Sequence, residues 1–391
     1  MRVGIMGGTL DPVHNGHIQL AQAALADLKL DGVMLLPAGD PPHKDHTTSK
    51  ADRLEMVRLA ARDVKGIFPC AIEIQRRGTT FTVDTLRELR NNNPDTDWFY
   101  IIGADTLDVL DSWKSFGQVA KMCSFAVCGR ADEPINRDRM KKLEQEYGAS
   151  FVPVNFNGPD ISSTDIRMRV CRGESIADLV PNSVGRYILD RGLYLSTLAR
   201  NEILTRLQKN LKPGRFAHTL GVAETAVRLA ERYGVVPAQA ELAALLHDCA
   251  KYMPLNEMRA LVIQHIPDTD PLELEAVSVL HAPAGAVVAC QEYGVQNPHI
   301  LSAIRKHTLG DAEMSALDAL IYTADFIEPG RENFPGLAQA RALAETDLYA
   351  AMCLCAELTN RHLETQGRHA HPRSLAMLHH YKKRMKKEEM K

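Results

Sequence analysis

The chain has 391 residues, 45% of them hydrophobic and 24% charged, which is more than one hydrophobic core usually serves and too apolar for a disordered chain. A formal net charge of -3 gives no basis for general nucleic-acid binding, and no apolar run reaches the ~18 residues needed to span a bilayer. The eight scattered cysteines lack the paired spacing of a zinc knuckle, and the opening residues read as a strand rather than a cleavable leader, so free thiols and a cytosolic location are expected.

In the first half, short β-rich runs alternate with helical patterns. Residues 3–6 give the first expected strand, a helix follows near 17–27, a second strand covers 32–36, a helix starts at Lys50 and another strand covers 99–102. Further strands fit 125–128 and 151–153, a helix starts at Ser163, and residues 187–194 close this half. That alternation predicts parallel strands with crossover helices, an open, Rossmann-like α/β sheet. From about Ser196 the pattern changes to long amphipathic helices punctuated by Pro213-Gly214, Gly234, Pro254, Pro271, Gly294 and Pro329-Gly330, with almost no strand signal. An all-α second domain is therefore expected, the two domains covering 1–195 and 196–391. The Lys-rich run from Lys382 reads as a solvated helix end.

After the first strand stands Gly7-Gly8-Thr9-Leu10-Asp11-Pro12-Val13-His14-Asn15-Gly16-His17. A glycine pair lets a phosphate approach the backbone, and the helix start after Gly16 offers unpaired N–H groups and a positive dipole end to an anion. His14 and His17 lie near that start, where either imidazole can donate to phosphate oxygens. A second string, Ile161-Ser162-Ser163-Thr164-Asp165-Ile166-Arg167, puts three hydroxyls at a helix start and an arginine in its first turn. Alone that string is an ordinary N-cap; with the first it forms a second anion cradle. In-line adenylyl transfer asks mainly for such positioning and for charge stabilisation at the α-phosphate and the departing pyrophosphate.

These strings resemble the H-x-G-H nucleotidyltransferase superfamily, and residues 1–195 are similar to bacterial nicotinate mononucleotide adenylyltransferases. Pro41-Pro42-His43-Lys44, the run from Gly78 through Thr80, Thr82 and Thr85 to Leu86, and Ile102-Gly103-Ala104-Asp105 followed by Trp113 carry the likeness further. Leu10 departs from the phenylalanine usual in the family. The resemblance implies that Gly7, Gly8, Thr9, His14, His17, Ser162, Ser163, Thr164 and Arg167 bind ATP, with His14, His17, Lys44 and Arg167 catalytic. It also implies that Lys44, Thr80, Thr82, Thr85, Asp105 and Trp113 line the mononucleotide pocket, Trp113 stacking on the pyridine ring. The implied reaction joins ATP, with its Mg²⁺, to nicotinate mononucleotide; the residues do not separate nicotinate from nicotinamide.

In the second half His218, His247-Asp248, His281, His307 and Asp325 fall in or at the ends of expected helices. Hydrolysis of a phosphoanhydride needs a hydroxide nucleophile and shielding of phosphate charge, which two adjacent divalent metals can supply. Mixed imidazole and carboxylate donors suit iron, manganese or cobalt, and Asp248 has an oxygen for each of two metals. The ordered strings Arg215-x-x-His218-x-x-Gly221, Leu246-His247-Asp248-x-Ala250-Lys251, His281-x-x-x-Gly285, Ala303-Ile304-Arg305-x-His307-Thr308-x-Gly310 and Ala324-Asp325-x-Ile327-Glu328-Pro329 resemble the HD superfamily. The stretch from Arg200 is similar to bacterial HD-domain symmetrical bis(5'-nucleosyl)-tetraphosphatases, which cut diadenosine tetraphosphate into two ADP. The resemblance implies six metal ligands (His218, His247, Asp248, His281, His307, Asp325), phosphate contacts from Arg215, Lys251, Arg305 and Thr308, and a catalytic role for Lys251. Two other readings of this half stay open: action on another nucleotide such as a nucleoside monophosphate, and a non-catalytic nucleotide-sensing module regulating the transferase. A homo-oligomer is compatible with all of this; no nucleic acid or membrane partner is expected.

Overall fold

The computed structural model describes residues 1–40, 48–129, 135–156 and 158–389. The chain divides into two compact units, Met1–Met168 with Ser175–Tyr187 and Arg169–Glu174 with Ile188–Lys391.

In the first unit β1 (Arg2–Gly8), β2 (Gly32–Pro37), β3 (Ile67–Pro69), β4 (Asp97–Gly103), β5 (Ser124–Cys128) and β6 (Phe151–Val154) form one sheet ordered β3-β2-β1-β4-β5-β6. All five pairings are parallel. The strands are apolar along both faces because helices cover both: Val3, Ile5, Leu35, Leu36, Phe125, Ala126 and Val127 are all buried. The chain winds outward from β1 to β2 and β3, then returns to β4 beside β1. Their following loops therefore diverge, leaving a crevice at the carboxyl ends of β1 and β4, the place where open α/β sheets bind ligands. The short strand β3 was not among the sequence expectations; three residues ending in a proline at a sheet edge carry no periodic signal.

The second unit holds only helices among its described residues. Pro213, Pro237 and Pro298 open three of them, where the missing N–H has no partner to lose. Gly234 and Gly294 end two, with φ of 66° and 65°. The helix Val277–Tyr293 is lined with small residues, and at Gly285 a Cβ would stand 3.4 Å from the backbone oxygen of His247. That close approach brings the His281 helix against the end of helix Pro237–Leu246, so His247 and His281 face the same interior. Among the described residues all eight cysteines are free, and no helix is long and apolar enough to cross a membrane.

Candidate active sites in the two units

At the carboxyl end of β1 the glycines leave room for a ligand or a neighbour. A Cβ on Gly7 would lie 2.1 Å from the Tyr100 hydroxyl of β4, so the two central strands close up only around glycine there. The helix Asn15–Asp27 starts with a reciprocal cap: His17 N donates to His14 Nδ1 at 3.4 Å, and His14 N donates to His17 Nδ1 at 3.2 Å. The two rings stack with centroids 3.6 Å apart. Both imidazoles thus stand at a helix N-terminus, where the backbone dipole favours an anion. From the helix Ser163–Arg172, Ser163 donates to the Pro12 oxygen (2.9 Å) and Arg167 to the Asp11 oxygen (2.7 Å) and to Thr164 (3.2 Å). Ser162 caps the same helix by accepting from Asp165 N at 3.0 Å. Gly7, Gly8, Thr9, His14, His17, Ser162, Ser163, Thr164 and Arg167 therefore gather around one loop, residues 8–14.

The mononucleotide-pocket residues converge less completely. Thr82 hydrogen-bonds Tyr100, and Trp113 packs edge-on against that ring at 5.3 Å between centroids. Burial and then the Glu73 carboxylate push the Tyr100 phenol well above its usual range. Thr85 is buried and committed: its hydroxyl donates to Glu73 (2.8 Å) and accepts from Arg76 (3.0 Å). Thr80 is buried with its hydroxyl unpaired. Asp105 is exposed at the end of β4 and touches Thr106. Lys44 lies outside the described residues.

Two residues absent from the sequence reading hold this crevice. Arg53 is only 1% exposed and donates to four backbone carbonyls, those of Thr48 (3.1 Å), Thr9 (3.1 Å), Ala38 (2.5 Å) and Gly39 (2.8 Å), tying together the loops after β1 and β2. Glu73, also buried, accepts from Gly39 N (3.4 Å) and from Thr85. A signal for Arg53 existed: in the helix Lys50–Ala61 it occupies the inward stripe with Met56, Val57 and Ala60.

In the second unit the six ligand candidates meet in one interior. Their donor atoms form three overlapping triplets, His218-His247-Asp248, His247-His307-Asp325 and Asp248-His281-His307, each with atoms within 4.8 Å of one another. Asp248 divides its oxygens: Oδ2 lies 3.4 Å from His247 Nε2, while Oδ1 lies 3.0 Å from His281 Nε2 and 3.8 Å from His307 Nε2. His218 Nε2 and His247 Nε2 are buried without an acceptable hydrogen bond, although Asp325 Oδ1 is 3.0 Å and 3.9 Å away. Carbonyls of Ala244 and Ile304 accept from Nδ1 of His247 (2.6 Å) and His307 (2.7 Å), which turns each Nε2 inward with its lone pair, that of His307 lying 3.1 Å from His281 Nε2.

The electrostatics fit a cation. Burial alone would depress the His247 pKa, but Asp248 and then Asp325 outweigh it and raise it, so these carboxylates favour positive charge beside Nε2. Burial would raise both aspartates, yet His247 holds Asp248, and His218 with His247 holds Asp325, far below the usual carboxylate range. His281 is pushed down to about 4, chiefly by burial, and stays a neutral donor. Orphaned inward nitrogens, ionised carboxylates and spacings near twice a metal–ligand bond are what a divalent centre requires.

Around it, Arg215 pairs with Asp248 Oδ2 at 2.9 Å, and Lys251 Nζ is 3.0 Å from His281 Nε2 and 3.4 Å from Asp248 Oδ1. Among the described contacts none joins Arg305 or Thr308 to the ligands. Arg305 faces the Arg373, Glu273 and Asp311 group, and burial and then Arg373 lower its pKa. Sequence reasoning gave no role to Glu328 and Arg331, which hold His218 and Asp325 respectively.

A six-stranded parallel sheet with a nucleotide crevice, joined to a helical unit with a histidine–aspartate centre, defines a two-part class: a nucleotidyltransferase-like half and an HD half. Comparison with known families agrees, the cytidylyltransferase-like family matching residues 5–169 and the HD domain residues 215–330. A "Probable nicotinate-nucleotide adenylyltransferase" of Synechococcus sp. is 39% identical over 196 residues, 50% of this chain and 95% of that protein. The chain belongs, through its first half, to the nicotinate-nucleotide adenylyltransferase family and carries an HD domain in its second. A Mycoplasma genitalium protein named "Probable nicotinate-nucleotide adenylyltransferase/Ap4A hydrolase" is 26% identical over 333 residues, 85% of this chain and 88% of the other. The solved structure of a predicted HD superfamily hydrolase involved in NAD metabolism from Clostridium acetobutylicum is similar at 33% identity with a TM-score of 0.46, covering 48% of this chain and 98% of that one.

Proposed function

We propose that the chain is a bifunctional cytosolic enzyme with functional domains 1–195 and 196–391. In the first, the 5'-phosphate oxygen of nicotinate mononucleotide attacks the α-phosphorus of ATP, and pyrophosphate leaves with Mg²⁺, giving nicotinate adenine dinucleotide. The observation that carries this reading is the gathering of Gly7, Gly8, His14, His17, Ser163 and Arg167 at the crevice where β1 and β4 part. The helix N-terminus and the two stacked imidazoles receive the triphosphate, and Arg167 meets the charge that grows on the leaving pyrophosphate. Thr9, Ser162 and Thr164 complete the ATP cradle. Lys44 adds a cation, and Thr80, Thr82, Thr85, Asp105 and Trp113 shape the side that takes the mononucleotide, Thr85 acting through Glu73 rather than by direct contact.

In the second domain, diadenosine tetraphosphate and one water give two ADP by cleavage at the central anhydride. His218, His247, Asp248, His281, His307 and Asp325 would hold two divalent cations, iron or alternatively manganese or cobalt, with Asp248 shared between them. Such cations would shield phosphate charge and make a water a better nucleophile at neutral pH. Arg215 and Lys251, already drawn to Asp248, orient the substrate phosphates; Arg305 and Thr308 serve a more distant part of the substrate. The convergence of six donors on one buried interior carries this reading.

Product analysis tests both halves. The purified chain given ATP and nicotinate mononucleotide is expected to form nicotinate adenine dinucleotide and pyrophosphate. Given diadenosine tetraphosphate with Mn²⁺ or Fe²⁺, it is expected to form ADP as sole product. AMP plus ATP as products would overturn the symmetrical assignment, and hydrolysis of nucleoside monophosphates alone would move the substrate to that class.

A further inference from the structure

The turn Glu328-Pro329-Gly330-Arg331 follows the helix Ala316–Ile327, whose last turn carries Asp325. Arg341 fixes its backbone, donating from Nε to the Ile327 oxygen (2.9 Å) and from Nη2 to the Glu328 oxygen (2.7 Å). Glu328 is buried; its Oε2 accepts from Gly330 N at 2.6 Å and its Oε1 lies 3.1 Å from His218 Nδ1. Gly221, three residues after His218 on the same helix, makes room for it: a Cβ there would stand 2.6 Å from Glu328 Oε2.

To ligate a cation on the Asp325 side His218 must present the Nε2 lone pair, and the Glu328 carboxylate, an acceptor 3.1 Å from Nδ1, then takes the ring proton there. That Nε2 is the buried, unpaired nitrogen facing Asp325. His247 and His307 reach the same tautomer through neutral carbonyls. His218 differs in being held by a negative charge, which orients the ring and also strengthens it as a donor. The turn's other end grips the opposite ligand: Arg331 donates to Asp325 Oδ1 (2.8 Å) and, from Nε and Nη2, to its backbone oxygen (3.1 and 2.8 Å).

We propose that Glu328 is a positioning residue for a divalent cation bound at His218 and Asp325, one turn of chain thereby setting both ligands. The inference rests on the metal-site reading of the HD half.

The test uses the full chain stripped with a chelator and titrated with Mn²⁺, free ion being followed by electron paramagnetic resonance. Glu328→Gln is expected to weaken the tightest Mn²⁺ binding by about 10–100-fold. Glutamine has one acceptor oxygen and cannot serve both Gly330 N–H and His218 Nδ1–H, and its amide donor turned to Nδ1 would move the ring proton to Nε2. The same substitution made on His218→Ala should change Mn²⁺ affinity by no more than about twofold, because its effect is then already gone. Equal Mn²⁺ affinity in the parent and Glu328→Gln would overturn the proposal. So would an undiminished effect in the His218→Ala background, since the residue would then act through the fold. If circular dichroism finds Glu328→Gln unfolded, Glu328→Asp, which keeps the charge but shortens the reach by one methylene, is judged by the same criteria. A parent chain that binds no Mn²⁺ overturns the metal-site reading and this inference together.

Discussion

The two units hold the proposed phosphate-directed sites, and these are made of different materials. In the first, the site is mostly backbone: glycines at a strand end, a helix start, and a loop whose carbonyls are pinned by Arg53, Ser163 and Arg167. In the second, it is side chains projected from helices into one interior, with His218, His247, His307 and Asp325 each turned by a partner on an outer atom. A backbone site depends on how the chain is bent, so substitutions nearby act through geometry. A side-chain site depends on the donors themselves, so removing one acts on the chemistry and spares the frame.

The sharpest break between them is a variant that silences one site alone. His247→Ala with Asp248→Ala removes one proposed ligand and the carboxylate proposed to be shared, and diadenosine tetraphosphate hydrolysis is expected to fall by on the order of a thousandfold or more. Formation of nicotinate adenine dinucleotide, assayed on the same sample, should stay within about twofold of the parent. A joint loss would mean that the two halves do not operate independently. The reverse experiment is expected to be somewhat milder: His17→Ala or Arg167→Gln removes one donor from a preorganised cradle and should lower kcat for adenylyl transfer by about 10²–10³, with hydrolysis unchanged.

Arg53 sharpens the comparison on the stability side. Its guanidinium is buried on backbone oxygens of Thr9, Ala38, Gly39 and Thr48, and losing it leaves those acceptors unserved at roughly 1–3 kcal/mol apiece. Arg53→Met is therefore expected to destabilise the first unit by at least about 3 kcal/mol. Both tryptophans of the chain, Trp98 and Trp113, lie in that unit, so fluorescence-monitored denaturation reads it selectively. An unshifted tryptophan transition would show that water or other donors replace the guanidinium.

What was legible in the sequence follows from the same division. Alternating apolar runs and helices announce a parallel sheet because strands buried on both faces must be uniformly apolar; β3, with one buried residue, escapes that rule. The six side chains that meet in the second unit stood out in the sequence because metal donors belong to a few residue types. Arg305 and Thr308 stood beside His307 in the same string, but at a spacing of two Arg305 lies on a different face of the helix Pro298–Lys306, and its surroundings are Arg373, Glu273 and Asp311. Arg53, Glu73, Glu328 and Arg331 were harder to read because they act through other groups. Their partners are carbonyls, N–H groups and side chains distant in sequence, and no spacing rule connects Glu328 to His218, 110 residues earlier.

The smallest expected effect bears on whether the first site is backbone alone. Trp113 is half-buried against the core, at a steep angle to Tyr100 with centroids 5.3 Å apart, and its indole is the proposed platform for the pyridine ring. Trp113→Phe keeps an aromatic edge against Tyr100 but offers a smaller stacking surface. Aromatic stacking contributes about 0.5–1.5 kcal/mol beyond buried area, so KM for nicotinate mononucleotide should rise by roughly two- to tenfold while KM for ATP stays put. If instead both constants are unchanged and the melting temperature drops, the indole is a packing residue. Recognition of the mononucleotide would then fall to the Thr80–Thr85 run and the backbone around Gly39.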